Sequence, residues 1–276
     1  MKLKEVLADT AIKLSKSGIE GAARDARILT AFALEIPISE LSLKINQQVS
    51  EKIIVELEKL ILRRINREPI SKILGRRDFW GRTFSINENV LDPRGDTETL
   101  IDFVIEKPVK SVLELGTGSG AIAVTLACEW KEVHVTATDI SKNALSLAKI
   151  NAEKFNVQNK IHFLTSDWFE NVKGAYDLII SNPPYIGLTE QDEISAEVIK
   201  YDPEIALFAG RDGLDAYRRI IPSLTKFLNP DGFVALETGA SQSNQVKNMM
   251  NAVGFIDAKI VKDLSGKDRL VAAKLA

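Results

Sequence analysis

The sequence predicts an α/β protein. A mostly parallel sheet flanked by helices follows a small N-terminal helical bundle, and a β-hairpin joins the two. Three observations carry this reading. From Pro108 onward short apolar runs alternate with helical stretches, as in a parallel sheet. The glycine-rich segment Gly116-Thr-Gly-Ser-Gly120 separates the first such run from the first helix. Ahead of residue 75, by contrast, apolar residues recur every three or four positions.

In the first stretch Leu3, Val6, Leu7, Ala11 and Leu14 mark a helix that Ser17-Gly18 stops. Ala23, Ala26, Ile28, Leu29, Phe32 and Ala33 mark a second, broken by Pro37, and Ser39 is a candidate cap for a short third. Residues 50–66 make the longest helix, with Ile53, Ile54, Leu57, Leu60, Ile61 and Ile65 as its apolar stripe. Arg63, Arg64 and Arg67 gather at its end, read as helix-terminal charge compensation ahead of partner binding. Residues 73–90 read as a hairpin, and a helix over 99–105 takes Asp96 or Thr97 as its cap.

Strands are predicted at 112–115, 133–137, 161–164, 176–181, 232–237, 258–261 and 270–274. Helices are predicted at 121–130, 144–155, 217–228 and 242–253, with loop between 185 and 217. The terminal strand pair suits an antiparallel addition to the sheet. The expected organisation is a substrate-docking helical domain at 1–75, a hairpin and linker helix at 76–107, and a main domain at 108–276.

Composition bounds the function. A formal net charge of -2 over 276 residues argues against holding long nucleic acid by phosphate neutralisation. One cysteine rules out an internal disulfide, and two histidines leave no zinc-like cluster, so a reducing compartment and no metal are expected. The N-terminus lacks a signal-peptide core and no apolar run is long enough to span a bilayer, which makes the cytoplasm the expected location.

Chemistry concentrates in Asp177-Leu-Ile-Ile-Ser-Asn-Pro-Pro-Tyr185. The apolar run is a buried strand that delivers Asn182 to its carboxyl end. Pro183 and Pro184 fix φ and remove two donors, which leaves nearby carbonyls free, and Tyr185 adds a flat face. An amide oxygen, carbonyls and a ring can cage a planar amino group for nitrogen methylation. The plainer reading is an Asn-Pro turn closing a strand.

The glycine turn, Gly116, Thr117, Gly118, Ser119 and Gly120, lets backbone approach a ligand. Asp139, ending the second strand, is placed to accept ribose hydroxyls. The turn also fits a dinucleotide pattern through Gly116, Gly118 and Ala121. Glu114 favours S-adenosylmethionine, because a carboxylate near the mouth suits a cationic methionyl end and would repel a pyrophosphate. Asp167 and Trp168 are candidates for holding the adenine. Glu114 as partner of a basic residue and Trp168 as core are the plainer readings.

Together, Glu114 to Gly120, Asp139 and Asn182 to Tyr185 resemble a class I, Rossmann-like S-adenosylmethionine-dependent methyltransferase. More narrowly, the chain resembles the release factor glutamine methyltransferases, the HemK/PrmC family. That likeness extends over Asp25-Ala-Arg27, Arg67-Glu-Pro-Ile70, Leu74-Gly75, Asp78-Phe-Trp80, Pro93-Arg94 with Thr97-Glu98, and Tyr201-Asp-Pro-Glu204 with Ala206-Leu207. Asp212-Gly-Leu214, Tyr217-Arg218, Glu237-Thr-Gly239 with Gln242, and Gly266-Lys-Asp-Arg269 complete it. Asp92 and Gly95 depart from the family pattern, which has an apolar residue and a proline there.

The resemblance implies methylation of the side-chain nitrogen of the glutamine in the Gly-Gly-Gln loop of class-one peptide chain release factors. A monomer without stable nucleic-acid binding is expected. An adenine-N6 methyltransferase acting on DNA or RNA is the alternative enzyme, since the same cage fits an exocyclic amine. A silent module that shields a release factor is the alternative of another class.

Overall fold

The structure, a computed structural model, describes residues 1–275 apart from the side chain of Glu193. It divides into two compact units. The first holds Met1–Gly75 together with Ala196–Tyr201. Helices α1 (Leu3–Lys16), α2 (Ala22–Ala33), α3 (Glu51–Ile65) and α4 (Ile70–Leu74) pack their apolar stripes on one core that includes Leu14, Leu29, Leu57 and Ile61. Pro37 precedes a single 3-10 turn, Ile38–Glu40, so Ser39 lies inside that turn and caps no α-helix.

The three arginines at the end of α3 are all engaged within this unit. Arg63 pairs with Glu68, Arg67 Nη2 donates to the Ser17 carbonyl, and Arg64 is buried between Asp25 (2.8 Å) and Glu197 (2.9 Å). These contacts go beyond helix-end compensation. The Arg64 pair anchors a segment distant in sequence, the helix Ala196–Tyr201, to the bundle. A buried guanidinium needs both carboxylates, because an unpaired charge there is costly.

The second unit opens at Arg76. Strands β1 (Arg76–Phe79) and β2 (Arg82–Ser85) pair antiparallel across Trp80-Gly81, both at positive φ (48° and 68°), the backbone of a type I′ hairpin. Phe79 and Phe84 enter the same core as α5 (Glu98–Ile105) and α6 (Ala121–Glu129). Between hairpin and sheet, a 3-10 turn at Gly95–Thr97 leads into α5, whose N-terminus receives no side-chain cap from Thr97. The capping expectation fails because the Thr97 hydroxyl is engaged elsewhere, as shown below.

Seven strands form the main sheet: β3 (Ser111–Leu115), β4 (His134–Asp139), β5 (Ile161–Thr165), β6 (Tyr176–Ser181), β7 (Leu228–Glu237), β8 (Phe255–Lys262) and β9 (Asp268–Leu275). Their spatial order is β5-β4-β3-β6-β7-β9-β8, parallel from β5 to β7, with β9 antiparallel to both β7 and β8. Helices cover both faces. Leu178 and Ile180 of β6 join the core under α6, whereas Ile179 joins the opposite core, which explains the unbroken apolar run. Full burial of each such side chain contributes roughly 1.5–3 kcal/mol.

Two expectations are corrected. The stretch after Tyr185 is not loop throughout: it carries a 3-10 turn at Leu188–Glu193, then α8 (Ala196–Tyr201) and α9 (Glu204–Leu207). These elements are too short to register as periodic patterns. The helix expected over 217–228 is instead α10 (Asp215–Ile220), a 3-10 turn at Ile221–Ser223 and α11 (Leu224–Phe227), since Pro222 cannot continue an α-helical ladder. The helix expected over 242–253 is α12 (Ser243–Ala252).

Helix α7 (Lys142–Lys154) joins the hairpin to the glycine turn through one side chain. The fully buried Asn151 accepts from Ser85 N (2.8 Å) and donates to Ser85 O (2.9 Å) and Ser119 O (2.8 Å). Replacing it strands three backbone groups at once. Asn151→Ala is expected to lower unfolding stability by about 2–4 kcal/mol in denaturant titrations, well beyond a surface Asn→Ala change.

Candidate active site

Strand register assembles the site. Leu115 of β3 is paired with Ser181 of β6, so the residues that follow, Gly116 and Asn182, leave the sheet side by side. Leu115 also faces Thr138, which places Asp139 at the same end, and Ser181 faces Leu236, which places Glu237 there. Chain order changes direction between β3 and β6, and open α/β sheets bind ligands at such a switch point. A cavity of about 460 Å³ lies there, within the second unit.

Of the residues expected to hold a cofactor, Glu114, Gly116, Thr117, Gly118, Ser119, Asp139, Asp167, Trp168 and Asn182 line this cavity. Gly120 does not. Its φ of 79° ends the turn, and a Cβ there would sit 3.0 Å from the Ala148 Cβ, so this glycine serves close packing on α7. Gly116 and Gly118, at φ 71° and 55°, turn the loop in a conformation that favours glycine.

Asp139 accepts from Gly118 N (2.9 Å) and Ser141 N (2.8 Å), one at each oxygen, and each oxygen keeps a lone pair for a ligand hydroxyl. Burial raises its pKa, with the amides of Ser141, Gly118 and Ile140 opposing. Asp167 is paired with Arg219 at 2.7 Å and Trp168 is half-buried against the second core, both at the cavity wall.

Glu114 meets a hydroxyl and a backbone amide in place of the basic partner of the plainer reading. It is fully buried, and Oε2 accepts from the Thr117 hydroxyl (2.7 Å) and from Ala123 N (3.1 Å), so the carboxyl braces the glycine turn against α6. It is the penultimate residue of β3, one position short of the strand end, and borders the cavity from behind the turn.

The tetrapeptide also divides. Asn182 and Pro184 line the cavity, and Pro183 is buried. Among the described residues no hydrogen bond is made to the Pro183 carbonyl. Tyr185 turns away into the second core, its hydroxyl 3.4 Å from Glu237 Oε1 and its carbonyl accepting from Gln242 Nε2 at 2.7 Å. The Asn182 side chain donates from Nδ2 to the Thr97 hydroxyl at 3.0 Å, which leaves Oδ1 as the free acceptor of that amide.

Sequence reasoning read Thr97 as a helix cap and quoted Glu237, Arg94 and Asp202 only within the family likeness, so it gave no part in the site to Thr97, Glu237 or the Arg94–Asp202 ion pair (2.8 Å), whose members precede and follow the tetrapeptide. Of these, Glu237 also carries a local signal, an acidic residue ending an apolar strand. Asp92 is buried at the cavity wall, whereas a Cβ on Gly95 would meet nothing, so the surroundings do not demand glycine.

Burial raises Glu114 to about 8, against Thr117 and Ala123, which lower it. The folded chain therefore keeps a proton that the unfolded chain releases near 4.5. Below that value the group's contribution to stability is fully present, and it is lost as pH rises through the folded value. Unfolding free energy should decline between those limits, by several kcal/mol from this group alone, and Glu114→Gln should flatten the decline. Chemical denaturation at a series of pH values measures it; an equal slope in the variant would exclude Glu114 as the source.

Comparison with known proteins agrees with this geometry. A family model described as the PrmC N-terminal domain matches residues 5–75, and one described as the methyltransferase small domain matches residues 87–206. A release factor glutamine methyltransferase of Cereibacter sphaeroides is 40% identical, covering 100% of this chain and 99% of the relative. One from Caulobacter vibrioides is 36% identical, covering 98% and 96%. A bifunctional methyltransferase of Rickettsia felis is 38% identical over 98% of this chain, which spans only 57% of that longer relative.

Among solved structures, the hMettl16 catalytic domain in complex with MAT2A 3'UTR hairpin 1 superposes with a TM-score of 0.57 at 16% identity, covering 86% of this chain and 84% of that one. A Pyrococcus furiosus methyltransferase gives 0.51 at 20% identity, covering 79% and 96%. At these identities both are likenesses of fold alone. With relatives matched end to end at these identities, the chain belongs to the release factor glutamine methyltransferase family.

Proposed function

We propose that this chain transfers a methyl group from S-adenosylmethionine to the side-chain amide nitrogen of the glutamine in the Gly-Gly-Gln loop of peptide chain release factors. The observation that carries the reading is the pairing of Leu115 with Ser181, which sets an amide-accepting tetrapeptide beside a glycine-rich ligand turn. The donor set suits the cofactor: Asp139 for ribose hydroxyls, the glycine turn for close backbone approach, and Asp167 and Trp168 for the adenine. When bound, the cofactor supplies an electrophilic methyl on a sulfonium.

The chain's own residues orient the acceptor. Asn182 Oδ1 and the Pro183 carbonyl accept the two amide hydrogens, which holds the nitrogen lone pair toward the methyl and draws the nitrogen from planarity. Alignment of this kind supplies several kcal/mol of barrier reduction by effective-molarity arguments, roughly 7–11 at most. As the carbon–nitrogen bond forms and the carbon–sulfur bond breaks, the nitrogen becomes acidic and loses its proton to water, so no strong base is needed.

The helical unit of residues 1–75 is assigned the docking of the release factor. Val55 and Leu62, seven residues apart on α3 and each more than half exposed, offer an apolar face for that contact. The chain is assigned to the cytoplasm and acts as a monomer; among the described residues no helix is long and apolar enough to cross a membrane.

A methyl-transfer assay offering purified release factor beside duplex DNA tests the reading, with the Gly-Gly-Gln glutamine changed to alanine as the blank. Label is expected on the release factor alone; label on DNA or on the blank overturns it. Asn182→Ala should slow single-turnover transfer about a hundredfold with little change in cofactor affinity. Tyr185→Phe should be milder than Tyr185→Ala. Asp139→Ala should weaken cofactor binding by about 1–3 kcal/mol in calorimetry.

For docking, Val55→Glu with Leu62→Glu should raise KM for intact release factor while kcat and cofactor binding hold. An unchanged KM would remove this face from the contact.

A further inference from the structure

Behind the tetrapeptide lies a buried carboxyl group that the transfer chemistry does not use. Glu237 ends β7 with no exposed surface, and its Oε2 meets no hydrogen-bond partner. It faces Thr97, which is 4% exposed and accepts from Asn182 Nδ2 at 3.0 Å. A hydroxyl has one proton. Since Asn182 Nδ2 is itself a donor, that proton is free to point at the carboxylate.

We propose that Glu237 is a positioning residue: through Thr97 it fixes the side-chain amide of Asn182 so that Oδ1 faces the reacting glutamine amide. The inference rests on the methylation reading above. Asparagine oxygen and nitrogen are nearly equal in shape, so only neighbouring donors and acceptors decide which way the amide turns. With Glu237 ionised, polarity runs from Asn182 Nδ2 to the Thr97 oxygen and from the Thr97 hydroxyl to the carboxylate. With Glu237 protonated, its O–H can donate to Thr97, whose own proton then turns to Asn182. The amide inverts and presents Nδ2, a donor, to the substrate N–H groups that need an acceptor.

The surroundings allow both states. Burial raises Glu237 to about 7, opposed by Thr97, then Arg269, and by the Tyr185 hydroxyl, while Asp96 adds to the rise. Arg269 comes from β9 and is bound to Asp96 (3.0 Å) and Asp263 (3.2 Å), so its charge is shared. From α10 the Tyr217 hydroxyl donates to the Glu237 backbone carbonyl (2.7 Å) and fixes the strand end.

The test uses the full chain, release factor and saturating S-adenosylmethionine in single-turnover runs across pH. Wild-type rate should rise about tenfold per pH unit below 7 and level off above it. Glu237→Gln should be slower by about tenfold or more at pH 8 and lose that dependence. Thr97→Val, which keeps the shape and removes the hydroxyl, should behave alike, and Thr97→Ser should recover to within about threefold of wild type. Cofactor affinity should stay within about twofold throughout.

A readout independent of turnover is the Asn182 side-chain amide in nitrogen-15 NMR, assigned by its loss in Asn182→Ala. One of its protons should exchange slowly with water and titrate near 7 in wild type, and neither should hold in Thr97→Val. A wild-type pH profile and an unchanged Asn182 signal in Thr97→Val would overturn the inference. Absence of wild-type transfer to glutamine would instead overturn the methylation reading, and the Asn182 signal would still decide the hydrogen-bond chain. If Glu237→Gln does not fold, the Thr97 pair and the NMR signal carry the decision.

Discussion

The in-register parallel pairing of β3 with β6 is the constraint on which the site depends. Parallel strands that start together also end together, so Leu115 opposite Ser181 forces Gly116 and Asn182 to emerge as neighbours. A slip of one residue would send every side chain of β6 to the other face and exchange Ile179 with Ile180 between two different cores. Those cores therefore hold the register, and the register holds the chemistry. Asp139 and Glu237 are drawn to the same edge by the neighbouring pairs.

That edge carries an unusual electrostatic load. Glu114, Asp139 and Glu237 are three carboxyl groups whose burial favours the proton-bound form. Their partners differ. Backbone amides satisfy Asp139 at both oxygens, a hydroxyl and an amide satisfy Glu114, and Glu237 has a weak phenol contact with Arg269 nearby. Asp139 lines the cavity with an amide at each oxygen, and a cation held there would favour the ionised form of all three.

Residues remote from the cavity are spent on holding the tetrapeptide still. Gln242 spans from the Gly239 amide to the carbonyls of Tyr185 and Asp212. Gly213, at φ 74°, leaves room for this, because a Cβ there would collide with the Tyr185 carbonyl. At the cavity wall itself, Arg94 pairs with the buried Asp202. The short motifs around 212, 237 and 242 are therefore explained by one task, fixing the backbone from which Asn182 projects.

The sequence by itself determined the alternation of strands and helices, the glycine turn, and the arrival of Asn182 and Asp139 at strand ends. Each of these is written in local pattern: continuous apolar runs, glycine spacing and paired prolines. Tertiary structure alone decided that Glu114 braces the turn from inside, that Gly120 packs on Ala148, that Thr97 serves Asn182 in place of its own helix, and that Arg64 gathers the helix at Ala196–Tyr201. These pairs lie many residues apart, and a hydroxyl or a carboxyl has the same local signature whether it caps a helix, meets solvent or faces a partner across the sheet. Local periodicity reports which face a residue takes; only the folded register reports what stands opposite it.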